Sequence, residues 1–205
     1  MNKEYRMLSF VERWSIAPRH HHQSVAEHSF FVALYSSQLC DMLNISAEDR
    51  FIVLDCALRH DAREVWSSDI PGPAKRSLID LQRAAIYYQH FDKGMDLLYR
   101  QSMRHRNRCV LSIVNGEVLG SYAVVDIIKV ADLIDEVFFL AIETQLGNQM
   151  VVGLYDKEWE RLKQAAELLA GDEFTDILLV IVSNELDRLW TEGAVIPHND
   201  TDLDR

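Results

Sequence analysis

The sequence predicts an all-α protein, a single-domain helical bundle, on three observations. Apolar residues recur mostly at helical spacing, alternating runs are few, and only eight glycines and four prolines punctuate 205 residues. A hydrophobic content of 48% is enough to fill one core without disulfides. We place the folded domain at residues 1–192 and a polar tail at 193–205.

The first strong helix signal is Ser24-Val25-Ala26-Glu27, a capping box that opens a helix running to about Leu43 and puts His28 at its first turn. Asn44 is a natural stop, and Ser46 caps a second helix through Phe51, Ile52, Leu54 and Leu58 that delivers His60-Asp61 at its end. Pro71-Gly72-Pro73 enforces a loop, after which helical periodicity returns from Ala74 to about Phe91, with a shorter helix from Met95 to Met103. Ser121 can cap a long helix to about Gln145 that carries Asp132 in its middle and closes at Gly147. Two further helices fit Leu154 to Ala170 and Glu173 to Trp190, separated by Gly171-Asp172. Val110-Leu111-Ser112-Ile113-Val114 before Asn115-Gly116 also carries a hairpin signal. Helix is favoured there, because a lone hairpin is marginal without a sheet to join.

Composition excludes several function classes. A formal charge of −11 opposes docking on duplex nucleic acid, where affinity comes chiefly from cations that displace counterions. No stretch approaches the ~18 to 20 apolar residues of a membrane span, and the N-terminal MNKEYRMLSFVERW lacks the apolar run of a signal peptide. Cys40, Cys56 and Cys109 form no CxxC pair, as expected of buried thiols in a reducing compartment, so a cytoplasmic location is expected.

His28, the adjacent pair His60-Asp61, and Asp132 together make a binding set for one divalent metal ion. Imidazole nitrogens suit Co, Mn, Zn, Ni or Fe, and two carboxylates lower the charge of the site, a combination that favours a catalytic transition-metal centre. A metal so held makes water acidic enough to act near neutral pH.

Five short blocks in order, Glu12-Arg13-Trp14, Gln23 to Ser29 around His28, Arg59 to Val65 around His60-Asp61, Asp69 to Lys75, and Lys129-Val130-Ala131-Asp132, resemble the HD-domain metal-dependent phosphohydrolases. Within that superfamily the chain is most similar to the bacterial and phage 5′-deoxynucleotidases, from Glu12 to about Glu136. The resemblance implies an HD-domain bundle with His28, His60, Asp61 and Asp132 as metal ligands. It implies that Glu64 is the catalytic acid/base and that Asp69 positions the attacking water or protonates the leaving oxygen. Arg13 matches a phosphate-binding arginine, Lys75 a further phosphate contact, and Trp14 an aromatic wall beside sugar and base that disfavours a ribose 2′-hydroxyl. Pro73 faces Trp14 across the base in this reading, and Ile16 sits beside the base.

The activity so implied is hydrolysis of 2′-deoxynucleoside 5′-monophosphates, with a small-molecule deoxynucleotide as partner and a homodimer or higher homo-oligomer as the assembly. The rival on the same metal is a deoxynucleoside triphosphohydrolase acting, for example, on dATP, for which Arg19, Lys75 and Arg76 could supply the extra cations. From another class comes a non-catalytic nucleotide-binding regulatory module, which the complete set of ligand and acid/base residues argues against. His20-His21-His22, where the family usually shows other residues, suits a surface or substrate-mouth role better than a structural metal, since adjacent histidines cannot all reach one ion.

Overall fold

Ser24 does what its sequence context asks: its hydroxyl accepts from the Glu27 amide, Glu27 reaches back to the Ser24 amide, and α2 (Val25–Met42) runs on from that closed capping box. In this computed structural model, which describes residues 4–15, 17–62, 64–69, 105 and 108–191, α2 follows a short α1 (Glu4–Met7) and one 3₁₀ turn (Leu8–Phe10). Asn44 ends the α2 segment in the left-handed region, at φ 52°, and Ser46 caps α3 (Ala47–Ala57) by accepting from the Asp49 amide. His60 and Asp61 sit in the turn that leaves α3, and a single turn, α4 (Glu64–Ser67), follows. The helices expected at 74–91 and 95–103, and the tail, lie outside the described residues.

The expected helix across 110–120 is a hairpin. β1 (Cys109–Val114) pairs antiparallel with β2 (Glu117–Ala123) through Asn115-Gly116, whose positive φ angles of 52° and 84° match the tight turn whose twist suits paired strands. The hairpin is marginal alone but is not alone. Ile45 bridges Ser112, the Ile113 amide donates to Asn44 O at 3.2 Å, the Leu111 amide donates to Asp49, and Val110 is buried in the core beside α3. The connection between α2 and α3 thus supplies the third partner that the local pattern does not reveal. Because β2 consumes residues 117–123, α5 (Val124–Gln145) begins at Val124 behind Ala123 rather than at a Ser121 cap.

α5 is the centre of the bundle. It packs on α2, α3 and α6 (Val152–Thr191), and Ile127, Val130, Leu133, Val137 and Leu140 leave it apolar on nearly every side. The break expected at Gly171 is present: Ala170 and Gly171 leave helical geometry, Gly171 at φ 80°, and Thr175 donates to Gly171 O at 2.9 Å as the second half begins. Among the described residues no helix is long and apolar enough to cross a membrane.

One small pairing fixes the entrance of the site. The Arg13 amide donates to Gln23 O and the Val25 amide to Val11 O, with Glu12 and Ser24 bridged between them. The chain between Arg13 and Gln23 is therefore closed at its base against the N-terminus of α2, which brings Arg13 beside His28.

Candidate metal centre

His28 comes from the first turn of α2, His60 and Asp61 from the turn after α3, and Asp132 from the middle of α5. The two imidazoles meet Nε2 to Nε2 at 3.1 Å. Asp132 Oδ1 lies 3.4 Å and Asp61 Oδ2 3.6 Å from His28 Nε2, and Asp61 Oδ2 is 3.3 Å from His60 Nε2. Ligand atoms of His28, His60 and Asp132 all fall within 4.8 Å of one another.

The far sides of the two rings define what the near sides offer. His60 Nδ1 lies 2.6 Å from Ala57 O, which can only accept, so that nitrogen carries a proton, while His28 Nδ1 lies 2.6 Å from Asp135 Oδ2 and 2.5 Å from Arg13 Nη1. The two Nε2 atoms face each other across 3.1 Å with Asp61 and Asp132 beside them, an arrangement that favours a cation or a proton between the rings. Two imidazole nitrogens with two carboxylates fit a divalent transition metal, which would take the place of a proton there. The field agrees. Burial resists a charged His60, yet the charge and hydrogen bond of Asp61, then Asp132, outweigh it and raise its imidazole to about 9. Burial also resists ionisation of Asp132, but Lys129, whose Nζ donates to Oδ2 at 2.7 Å, together with His28, Arg13 and His60 holds that carboxyl well below its usual range.

Arg13 is buried and faces three carboxylates: Nη1 donates to Asp135 Oδ2 at 3.2 Å, and Nη2 lies 3.5 Å from Glu136 and 4.0 Å from Asp132. Burial disfavours its cation, but Asp132, Glu136 and Asp135 outweigh that and raise its pKa. Arg13 Nη1 also lies 2.5 Å from His28 Nδ1, so the guanidinium sits against both members of the His28–Asp135 pair. Glu136, pushed up to about 8 by burial and by Asp132 in spite of Lys129 and Arg13, closes this corner against α6.

Trp14 stacks on Phe139 with ring centres 5.2 Å apart and planes 8° from parallel, and its amide donates to Asp69 Oδ2 at 2.9 Å. That bond brings Asp69 to the Arg13–Trp14 segment. Glu64 is buried one turn beyond Asp61, its amide donating to Asp61 O at 2.9 Å. Ile16, Pro73 and Lys75 lie outside the described residues. Sequence reasoning missed Gln23, Lys129, Asp135 and Glu136. A signal existed for two of them: Asp135 and Glu136 follow Asp132 at i+3 and i+4, so three carboxylates share one face of a largely apolar helix.

Two of the three histidines, His20 and His21, are held by another missed residue. Glu143, fully buried on α5, accepts from the amides of His20 and His21, from His21 Nδ1 at 2.7 Å and from Asn148 Nδ2 at 2.7 Å. Burial works against its charge, but these donors, Asn148 first, lower its pKa. His21 packs on Phe139 at 4.4 Å, so the loop extends the Trp14–Phe139 stack. His22 faces Glu12 at 3.2 Å. Glu143→Ala strands several buried donors and is expected to destabilise the protein by roughly 3 kcal/mol, read as a lower denaturant midpoint. A midpoint within error of wild type would mean that the loop is not held through Glu143.

Residues 3–180 match the family described as 5′-deoxynucleotidase YfbR-like. Among curated proteins no sequence matches. The fold is similar to that of the HD phosphohydrolase of cyanophage S-2L, solved with dA and one catalytic Zn²⁺ ion, at TM-score 0.63 and 20% identity over 92% of this chain and 97% of that one. It is also similar to a protein of Pyrococcus horikoshii OT3, at 0.60 and 21% over 88% and 95%, and to an HD-domain phosphohydrolase of Listeria innocua, at 0.55 and 15% over 93% and 88%.

Proposed function

The chain belongs to the YfbR-like 5′-deoxynucleotidase family, metal-dependent phosphohydrolases by kind, and from that premise we propose that it hydrolyses 2′-deoxynucleoside 5′-monophosphates to deoxynucleoside and phosphate. The observation that carries the reading is the convergence of His28 Nε2 and His60 Nε2, 3.1 Å apart, flanked by Asp61 and Asp132. These four residues would hold one divalent metal. When bound, the metal supplies Lewis acidity toward the phosphate and lowers the pKa of a water.

The chain's own groups do the rest. Arg13 brings a permanent cation to the corner shared with Asp132, and its planar fork suits phosphate oxygens. Glu64 manages the proton of the attacking water, and Asp69, fixed by the Trp14 amide, positions that water or serves the leaving 5′-oxygen. The stack of Trp14 on Phe139 is a rigid wall against which a deoxyribose packs and a 2′-hydroxyl does not. The monophosphate is preferred over the triphosphate because Arg19, one of the cations that the longer substrate calls for, is paired with Glu12.

The test is a release assay on the full-length protein with added Zn²⁺, Mn²⁺ or Co²⁺ and dAMP, AMP or dATP. Deoxynucleoside and inorganic phosphate from dAMP are expected. Release of triphosphate from dATP instead would establish the triphosphohydrolase reading, and tight binding of both without turnover would establish the regulatory one. In the same assay Trp14→Ala is expected to narrow the dAMP:AMP rate ratio by roughly 10-fold. It should also lower the melting temperature, since Trp14 covers Phe139. An unchanged ratio in a folded variant sinks the sugar-gate role and leaves Trp14 as packing alone.

A further inference from the structure

We propose that Asp135 is a positioning residue for the metal centre: it fixes the ring and tautomer of His28 so that Nε2 presents a lone pair to the ion. The proposal rests on the metal reading above and adds to it a residue outside the four ligands. Asp135 is buried, and its Oδ2 accepts from His28 Nδ1 at 2.6 Å, Gln23 Nε2 at 3.0 Å and Arg13 Nη1 at 3.2 Å. Three donors from the 13–28 segment converge on one oxygen carried by the central helix.

The arrangement has direct consequences. His28 is wholly buried, so its Nδ1 proton has no water to bond to and depends on Asp135 for an acceptor. Were the proton on Nε2 instead, it would point at His60 Nε2 3.1 Å away, and the lone pair needed for a ligand would be lost. The negative charge on Asp135 also makes His28 a stronger donor to a cation, as carboxylates behind metal-binding histidines do. Gln23 and Arg13 hold Asp135 from the other side. Their backbones are themselves paired, the Arg13 amide donating to Gln23 O at 2.9 Å, so both arrive through the same local pairing that closes the chain between them. The unit joins α5, the start of α2 and the 11–13 segment, and the position of His28 is thereby tied to the entrance of the site.

The experiment compares wild type, Asp135→Ala, Asp135→Asn and Gln23→Ala as full-length proteins, with two readouts. The first is affinity for Zn²⁺ and Co²⁺ by competition with a chromophoric chelator. The second is the tautomer of His28 in the metal-free protein, from its ring ¹⁵N shifts. Asp135→Ala is expected to weaken metal affinity by ~10- to 100-fold and to move the His28 proton off Nδ1. Asp135→Asn keeps an acceptor, so it should keep the tautomer and lose less affinity; Gln23→Ala should lose least. If Asp135→Ala does not fold, the graded order of the other two against wild type decides. Folded variants that all bind metal within twofold of wild type and keep the Nδ1–H tautomer would overturn the proposal. Should wild type itself bind neither ion, the metal reading falls, while the tautomer comparison still decides whether Asp135 sets the His28 ring.

Discussion

His60→Ala is expected to abolish metal binding and phosphohydrolase activity together, and Asp61→Ala to do the same. Each change removes one ligand atom from a group of four. His60 Nε2 lies 3.1 Å from its counterpart on His28, and Asp61 Oδ2 lies within 3.3 to 3.6 Å of both imidazoles. A water in place of His60 would bring neither the fixed direction that its Nδ1 bond to Ala57 O imposes nor the σ-donation of a nitrogen. A water in place of Asp61 would leave the site one negative charge short for a dication. Because metal binds the folded chain, loss of the ion is also readable as stability: at a metal concentration about 100-fold above the dissociation constant, wild type should gain roughly 2.7 kcal/mol. That corresponds to a rise in melting temperature of roughly 5 to 10 °C. Neither variant should show the rise. A His60→Ala protein that still melts higher with added Zn²⁺ and still releases phosphate from dAMP would remove His60 from the ligand set.

How much of this was legible beforehand follows from the range over which each feature is encoded. The start of α2 was readable because Ser24 and Glu27 satisfy one another within a single turn, and the break in α6 because Gly171 alone permits φ 80° at no cost. That His28, His60 and Asp132 gather at one place was readable because few jobs require His, His-Asp and Asp at the ends and middle of helices. The hairpin was not, because what stabilises it is distant in sequence: Asn44, Ile45 and Asp49 receive it. A period-two run of six residues is ambiguous until that partner is known. Asp135 and Glu143 were illegible for the same reason. Asp135 meets Gln23 and Arg13 across separations of 112 and 122 residues, and Glu143 meets His21 across 122, so only the closing of the chain between Arg13 and Gln23 against α5 reveals what these carboxylates hold. In a sequence they read as polar interruptions of an apolar helix, and that interruption was the one usable signal.

Glu64→Gln separates chemistry from metal holding. Glu64 is buried at the first residue of α4, tied through its amide to Asp61 O at 2.9 Å, and so follows the ligand pair as a rigid continuation of the same turn. Glutamine keeps the volume and that backbone bond but has no carboxylate to take a proton from water. Turnover of dAMP is therefore expected to fall by ~100-fold or more, the scale of a lost general acid/base, while Zn²⁺ affinity changes little. KM should stay near its wild-type value, because Glu64 acts on the water rather than on the phosphate, whereas loss of Arg13 as a phosphate contact would be expected to raise KM. Affinity and turnover falling in step would instead make Glu64 a metal ligand. An unchanged rate would pass the base to Asp69, which accepts from the Trp14 amide. Measuring metal stoichiometry, kcat and KM on one preparation distinguishes the three, since each assignment moves a different one of the quantities.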